Sequence, residues 1–87
     1  MAFEDTQSEV HEIVARTIDR DPKQLQPEDN LTEQHDVDSL MGLEILVALE
    51  KRYQIQIPES MLQEMTSIAR IASTVWERLE SRQQATA

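Results

Sequence analysis

The densest group of potentially reactive side chains lies mid-chain, in His35-Asp36-Val37-Asp38-Ser39. A serine hydroxyl can act as a nucleophile, cap a helix, or be esterified. Nucleophilic catalysis needs a base within reach and donors for an oxyanion. His35 lies four residues before Ser39, and His11 is far away in sequence. The chain has one glycine, Gly42, so it has no glycine-rich loop to cradle a phosphate or build a dinucleotide site. Asp36-Val37-Asp38 opens like a calcium loop, but Met41 falls where that loop requires glycine and Val47 where it requires glutamate. The two histidines have no ligand spacing and are expected to be exposed to solvent. There is no cysteine. Neither a catalytic constellation nor a metal site is predicted. What remains is Asp38-Ser39-Leu40, which by itself reads as a helix cap.

The charge around that tripeptide is one-sided. The 87 residues hold 17 Asp and Glu against 8 Lys and Arg, a formal net charge of −9. Between Gln24 and Glu50 there is no Lys or Arg, while Glu28, Asp29, Glu33, Asp36, Asp38, Glu44 and Glu50 all fall there. Such a surface repels nucleic acid and anionic membranes and attracts basic patches on other proteins. It is a candidate docking surface. No apolar run approaches the roughly 20 residues that span a bilayer, and the first residues lack a signal-peptide pattern. The expectation is a soluble, cytoplasmic protein that binds neither nucleic acid nor membrane.

Three periodic runs must position the site. Val10, Ile13, Val14 and Ile18 predict a first helix from Phe3 or Asp5 to Ile18, capped by Asp5 or Thr6 with Glu9 and ended by Pro22. A long polar loop follows to Val37, pinned by Leu25 and Leu31. The second helix is predicted from Asp38 or Ser39 to about Tyr53. Its core face holds Gly42, Leu43, Ile45, Leu46, Leu49 and Tyr53; its other face holds Leu40, Met41, Glu44, Val47, Ala48 and Lys51. Mid-helix Gly42 costs about 1 kcal/mol relative to alanine, which points to a close backbone approach on the core side. Gln54-Ile55-Gln56-Ile57 is too short to make a sheet and reads as a connector whose isoleucines plug the core. Pro58 opens a short helix to about Met65. Thr66 and Ser67 cap a last helix, from Ser67 to Leu79 or Arg82, with Ile68, Ile71, Ala72, Val75, Trp76 and Leu79 as its stripe. Residues 81–87 are expected to fray. The predicted fold is a single all-α domain, a small bundle of three longer helices and one short one, with a long loop between the first two.

The run from Asp38 through Glu50, then Tyr53 and Ile57-Pro58-Glu59, then Thr66-Ser67-Ile68 with Ile71 and Val75, resembles the core signature of acyl carrier proteins. The likeness extends from about Val10 to Leu79. It implies that Ser39, between Asp38 and Leu40, is esterified by 4′-phosphopantetheine. A phosphopantetheinyl transferase takes the group from coenzyme A with magnesium. It further implies a carrier that catalyses nothing itself and passes acyl thioesters between acyl-transfer and chain-elongating enzymes with basic docking patches. A monomer is expected.

The resemblance also assigns surfaces. Glu44 sits where the family places a partner-facing acid, and Leu40, Met41 and Val47 surround it on the predicted exposed face, so Met41, Glu44 and Val47 are the expected partner-docking residues of the second helix. Leu46, Ile57, Leu62, Met65 and Ile68 are the expected walls of an acyl pocket. The sequence departs from the family pattern at His35-Asp36, where a leucine-glycine pair is usual, at Met41, where an acid is common, and at Leu62, where small residues are common. These departures fit a specialised carrier as readily as a housekeeping one. The cargo belongs to fatty acid, polyketide or specialised lipid synthesis on this reading. Two alternatives stay open: an aminoacyl or peptidyl carrier of the same fold, and an unmodified acidic helical interaction module.

Overall fold

A computed structural model describes residues 2–85, with side chains through Ser81. The elements run α1 (Phe3–Thr17), a 3₁₀ turn (Pro22–Gln24), α2 (Leu31–His35), α3 (Ser39–Tyr53), a 3₁₀ helix (Glu59–Glu64) and α4 (Ile68–Ala85). The fold is all-helical, with three long helices, and no strand occurs among the described residues. α1 packs against both α3 and α4, and the 3₁₀ helix packs against α3.

Most of the helical stripes predicted from spacing form the core: Val10, Val14 and Ile18 are buried, as are Ile45, Leu46, Leu49 and Tyr53 of α3 and Ile68, Ile71, Ala72 and Val75 of α4, with Ala15 beside them. Ile13, Trp76 and Leu79 of the same stripes are half-buried. Burying each large aliphatic side chain contributes roughly 1.5–3 kcal/mol. Ile55 and Ile57 of the connector are buried as expected. The Glu50 carboxylate holds that connector, accepting the Ile57 N–H at 2.9 Å. Tyr53 fastens α3 to α1: its hydroxyl donates to Glu9 at 2.8 Å, and Arg52 reaches the same oxygen at 3.1 Å. Burial first, and then the Glu9 carboxylate, push the Tyr53 hydroxyl well above the usual phenol range, so it stays a donor.

The helix ends differ from expectation. α1 begins at Phe3 with Ala2 as its cap, so neither Asp5 nor Thr6 caps it. Phe3 meets Trp76 edge-on at 5.9 Å, which draws the first turn into the bundle, and Thr6 is fully buried. Asp5 instead accepts a bond from the Ala2 N–H at 3.3 Å. At the other end Pro22 is not the terminator. Asp19 turns left-handed (φ 57°), Arg20 N–H bonds to Ala15 O and Asp19 N–H to Arg16 O, which is a Schellman closure. Asp36 and Gln54 close α2 and α3 in the same left-handed conformation. Asp tolerates it because its short side chain bonds locally.

The long loop is more structured than its composition suggested. Leu25 and Leu31 are buried pins, as expected, and α2 forms between them and Ser39. The loop is also sewn to the start of α4 by Leu31 N–H to Thr66 O (2.9 Å) and Ala69 N–H to Pro27 O (3.0 Å). Ser67 caps α4, its hydroxyl accepting the Arg70 N–H at 3.2 Å. α4 continues past Leu79 and Arg82 to Ala85, and residues 86–87 of the expected frayed tail lie outside the described residues.

Gly42 does not admit another backbone. A Cβ placed there would meet a side-chain atom, Leu62 Cδ2, at 3.6 Å, an ordinary contact. Gly42→Ala should therefore raise stability by about 0.5–1 kcal/mol. A melting temperature higher by several degrees is the expected reading, at roughly 4–8 °C per kcal/mol for a domain of this size. A lower melting temperature would contradict the open space described here.

Candidate functional site

The site is made where the chain leaves the interior and starts α3. Leu31 and Val37 are both buried, and Val37 N–H donates to Leu31 O at 3.1 Å. The left-handed turn at Asp36 lies between them. Beyond Val37 the chain emerges, and Asp38, Ser39 and Leu40 are all exposed. Asp38 is the N-cap: its carboxylate accepts the Met41 N–H and its carbonyl the Gly42 N–H, both at 2.9 Å. Ser39 is the first residue of the helix. Helix geometry leaves first-turn N–H groups without intrahelical acceptors and places the positive end of the macrodipole there.

The loop before Ser39 is held by polar contacts of its own. Asn30 caps α2 by accepting the Glu33 N–H at 2.9 Å, and Gln34 accepts the Asn30 N–H at 2.7 Å. Asp29 accepts from the Gln26 N–H and from His35 Nε2, each at 3.0 Å. The His35 side chain is only 12% exposed. Both histidines were expected to be exposed to solvent; each is half-buried instead, and His11 Nε2 donates to Pro22 O at 2.8 Å. A carbonyl can only accept, so the His11 proton sits on that nitrogen. The acidic block is thinner than the sequence suggested, since Asp29 and Glu50 are committed to internal bonds. Glu28, Glu33, Asp36, Asp38 and Glu44 stand exposed.

A largely apolar cavity of about 360 Å3 opens beside Ser39. α2 and its exit supply Leu31, Thr32, Val37 and Asp38; α3 supplies Ser39, Gly42 and Ile45. Leu62, Gln63 and Met65 close it from the 3₁₀ side, and Ile71 from α4. Of the five residues expected as pocket walls, Leu62 and Met65 line this cavity. Leu46, Ile57 and Ile68 do not: they are buried in the core. Helical phase does not separate them: Leu46, four residues after Gly42 and seven after Ser39, shares their side of α3, and Ile57 lies in the connector outside any helix. Ile71 faces the cavity one turn after Ile68. The three-residue step from Ser39 through Gly42 was visible in the sequence and could have found Ile45. The loop residues Leu31 and Val37 gave no such signal.

The other face of α3 carries Leu40, 66% exposed, and Val47, 45% exposed, on either side of exposed Glu44. These positions are spaced i, i+4 and i+7 and form one strip. Met41, expected in that strip, is half-buried and packs against the core. Leu43, expected in the core, is half-buried.

An exposed serine on a capped first helical turn, beside an apolar cavity, defines a helical domain suited to bearing a covalent group. The model of the phosphopantetheine attachment site matches residues 8–75. The polyketide-8 synthase acyl carrier protein 2 of Streptomyces avermitilis is 40% identical over 60 residues, 69% of each chain. An acyl carrier protein of Streptomyces coelicolor is 31% identical over 70 residues, 79% of this chain and 76% of that one. The fold is that of the solution structure of a holo acyl carrier protein from Geobacter metallireducens, with a TM-score of 0.76 over 91% of both chains at 24% identity. The chain belongs to the acyl carrier protein family, whose prosthetic group is covalent phosphopantetheine.

The Asp29 node yields a pH prediction. The His35 hydrogen bond, followed by the Gln26 amide, holds the Asp29 carboxyl below its ordinary 3.8. Its contribution is present above that value and is lost as the pH falls below it. On acidification from pH 5 to pH 3 the melting temperature should therefore fall further for the native protein than for Asp29→Asn. Parallel profiles would rule the node out as a stabiliser of the loop.

Proposed function

We propose that Ser39 is the attachment point of the phosphopantetheine arm, and that this chain shuttles acyl thioesters among the enzymes of a biosynthetic assembly. The exposure of Ser39 on the first turn of α3, next to the cavity, carries the reading. When bound, the arm supplies a terminal thiol that holds the acyl group as a thioester. The protein's own residues act around it. First-turn N–H groups of α3 and the helix dipole favour a phosphodiester at Ser39. Asp38 keeps the helix start in place through Met41. A tethered cargo meets a docked enzyme at high effective concentration. The chain acts as a carrier and leaves the chemistry to its partners.

Those partners are a phosphopantetheinyl transferase and acyl-transfer or chain-elongating enzymes with basic patches. Leu40, Glu44 and Val47 form the docking strip, with Met41 at its edge. The likeness to a polyketide synthase carrier supports polyketide-type cargo over amino acids. Exposed charge pairs contribute little each, so docking is weak, fast and sensitive to salt. A shuttle must leave each enzyme, and weak docking allows that.

Co-expression with a promiscuous phosphopantetheinyl transferase should add the mass of one phosphopantetheine to the protein. Ser39→Ala should abolish the gain. No gain in the native chain, or a gain that survives in the variant, would overturn the assignment. Glu44→Lys should slow acyl transfer to a basic-patched partner by up to about fivefold, equivalent to roughly 1 kcal/mol for an exposed pair, without changing helical content. Equal rates at low salt would remove α3 as the docking element.

A further inference from the structure

The outer strip of α3 does not end at Val47. Lys51 falls four residues further on, so Leu40, Glu44, Val47 and Lys51 stand at i, i+4, i+7 and i+11, within roughly 60° of helix rotation. All four are exposed. From the Ser39 end outward the strip therefore reads apolar, acidic, apolar, basic. Its two charges lie about 10 Å apart along the axis, at roughly 1.5 Å of rise per residue.

Neither charge is answered within the protein. On a helix the neighbours able to pair with Glu44 stand three and four residues away, and they are Leu40, Met41, Val47 and Ala48. Those of Lys51 are Val47, Ala48, Gln54 and Ile55. Among the described residues no ion pair joins either one. The charges next to Lys51 are engaged elsewhere: Glu50 accepts the Ile57 N–H, and Arg52 is paired with Glu9. A cation in the last turn also complements the helix dipole. That role does not require the exposed strip, and Arg52 stands in the same turn. Arg52 thus holds α3 to α1, while Lys51 is left to the outside.

We propose that this strip is a two-signed docking face, fitted by enzymes that carry a basic group near the mouth of the active site and an acidic group about 10 Å farther away. The proposal rests on α3 being the docking element. A partner basic throughout would set a cation against Lys51. The matched partner meets Glu44 with a cation and Lys51 with an anion, and Leu40 and Val47 supply the apolar contact. Turned end for end, the same pair sets like charges together. Opposite signs at the two ends give docking a direction, which brings the Ser39 end of α3, and not its Tyr53 end, to the active site. Net charge supplies attraction, and the order of the two signs supplies orientation.

The probe is a purified chain-elongating enzyme of a polyketide assembly that accepts acyl groups from the native protein. Titration of the unmodified chain reads affinity, and the loaded chain reads the rate of acyl transfer. Lys51→Glu takes the net charge from −9 to −11. Were net charge alone to drive docking, this variant would bind a basic patch more tightly. The two-signed strip requires the reverse, a Kd raised roughly two- to fivefold. Lys51→Gln, which only removes the cation, should raise it less. Exchanging the two residues, Glu44→Lys with Lys51→Glu, keeps the net charge at −9 but reverses the order of signs. That protein should transfer acyl groups more slowly than either single variant. Lys51→Glu binding as tightly as the native chain or more so, or native transfer by the exchanged protein, would overturn the proposal. If Glu44→Lys itself binds like the native chain, the reading of α3 as the docking element falls instead. Circular dichroism checks that each variant is folded.

Discussion

The bond from the Asp38 carboxylate to the Met41 amide is the contact on which the site depends. It fixes where α3 starts, and everything else follows in register. Ser39 becomes the first helical residue, and the three-residue step brings Gly42 and Ile45 to the cavity. The i, i+4, i+7 positions carry Leu40, Glu44 and Val47 to the opposite strip. A start displaced by one residue would rotate all of these by about 100°. An N-cap of this type contributes about 1 kcal/mol. That is a small part of a domain's stability, yet it sets the phase of the whole helix. Buried Leu31 and Val37 back the cap from inside, so the chain can cross from core to solvent within a few residues.

Acidic residues serve two purposes here, and the structure separates them. Asp21, Asp29, Asp38 and Glu50 accept backbone N–H groups in loops, caps and the connector. Glu9 gathers Tyr53 and Arg52. Asp19 and Asp36 turn helix ends in the left-handed conformation that glycine usually provides. A chain with one glycine can close its helices this way because Asp adopts that conformation at modest cost. The exposed remainder, centred on Glu44, is left for long-range attraction. The cost of so acidic a surface is self-repulsion, which the packed stripes of α1, α3 and α4 must offset.

Much of the fold was legible in the residues. The three long helices followed from 3.6-residue periodicity. The burial of Leu25, Leu31, Ile55 and Ile57 followed from isolated apolar residues in polar stretches, which have few other places to go. The capping role of Ser67 was legible too, and the Asp38-Ser39-Leu40 run marked the start of α3. The misreadings have separate causes. Asp5 and Thr6 looked like caps until a distant ring pair, Phe3 with Trp76, carried the helix further. Pro22 looked like a terminator, but backbone bonds at Asp19 ended α1 first. The histidines were expected to be exposed, yet each is half-buried and bonded in the loop region, His11 to Pro22 and His35 to Asp29.

The sequence by itself determined the helical class, the acidic character of the site region and the position of Ser39 at a helix start, because periodicity, charge and capping are local properties. Tertiary structure alone decided which apolar residues face the cavity and which simply fill the core. Leu46, Ile57 and Ile68 are as apolar as Ile45, Leu62 and Ile71, and no composition rule tells the two groups apart. The difference lies in how a 3₁₀ segment, a one-turn helix and α4 meet α3, and that depends on contacts between residues far apart in the chain.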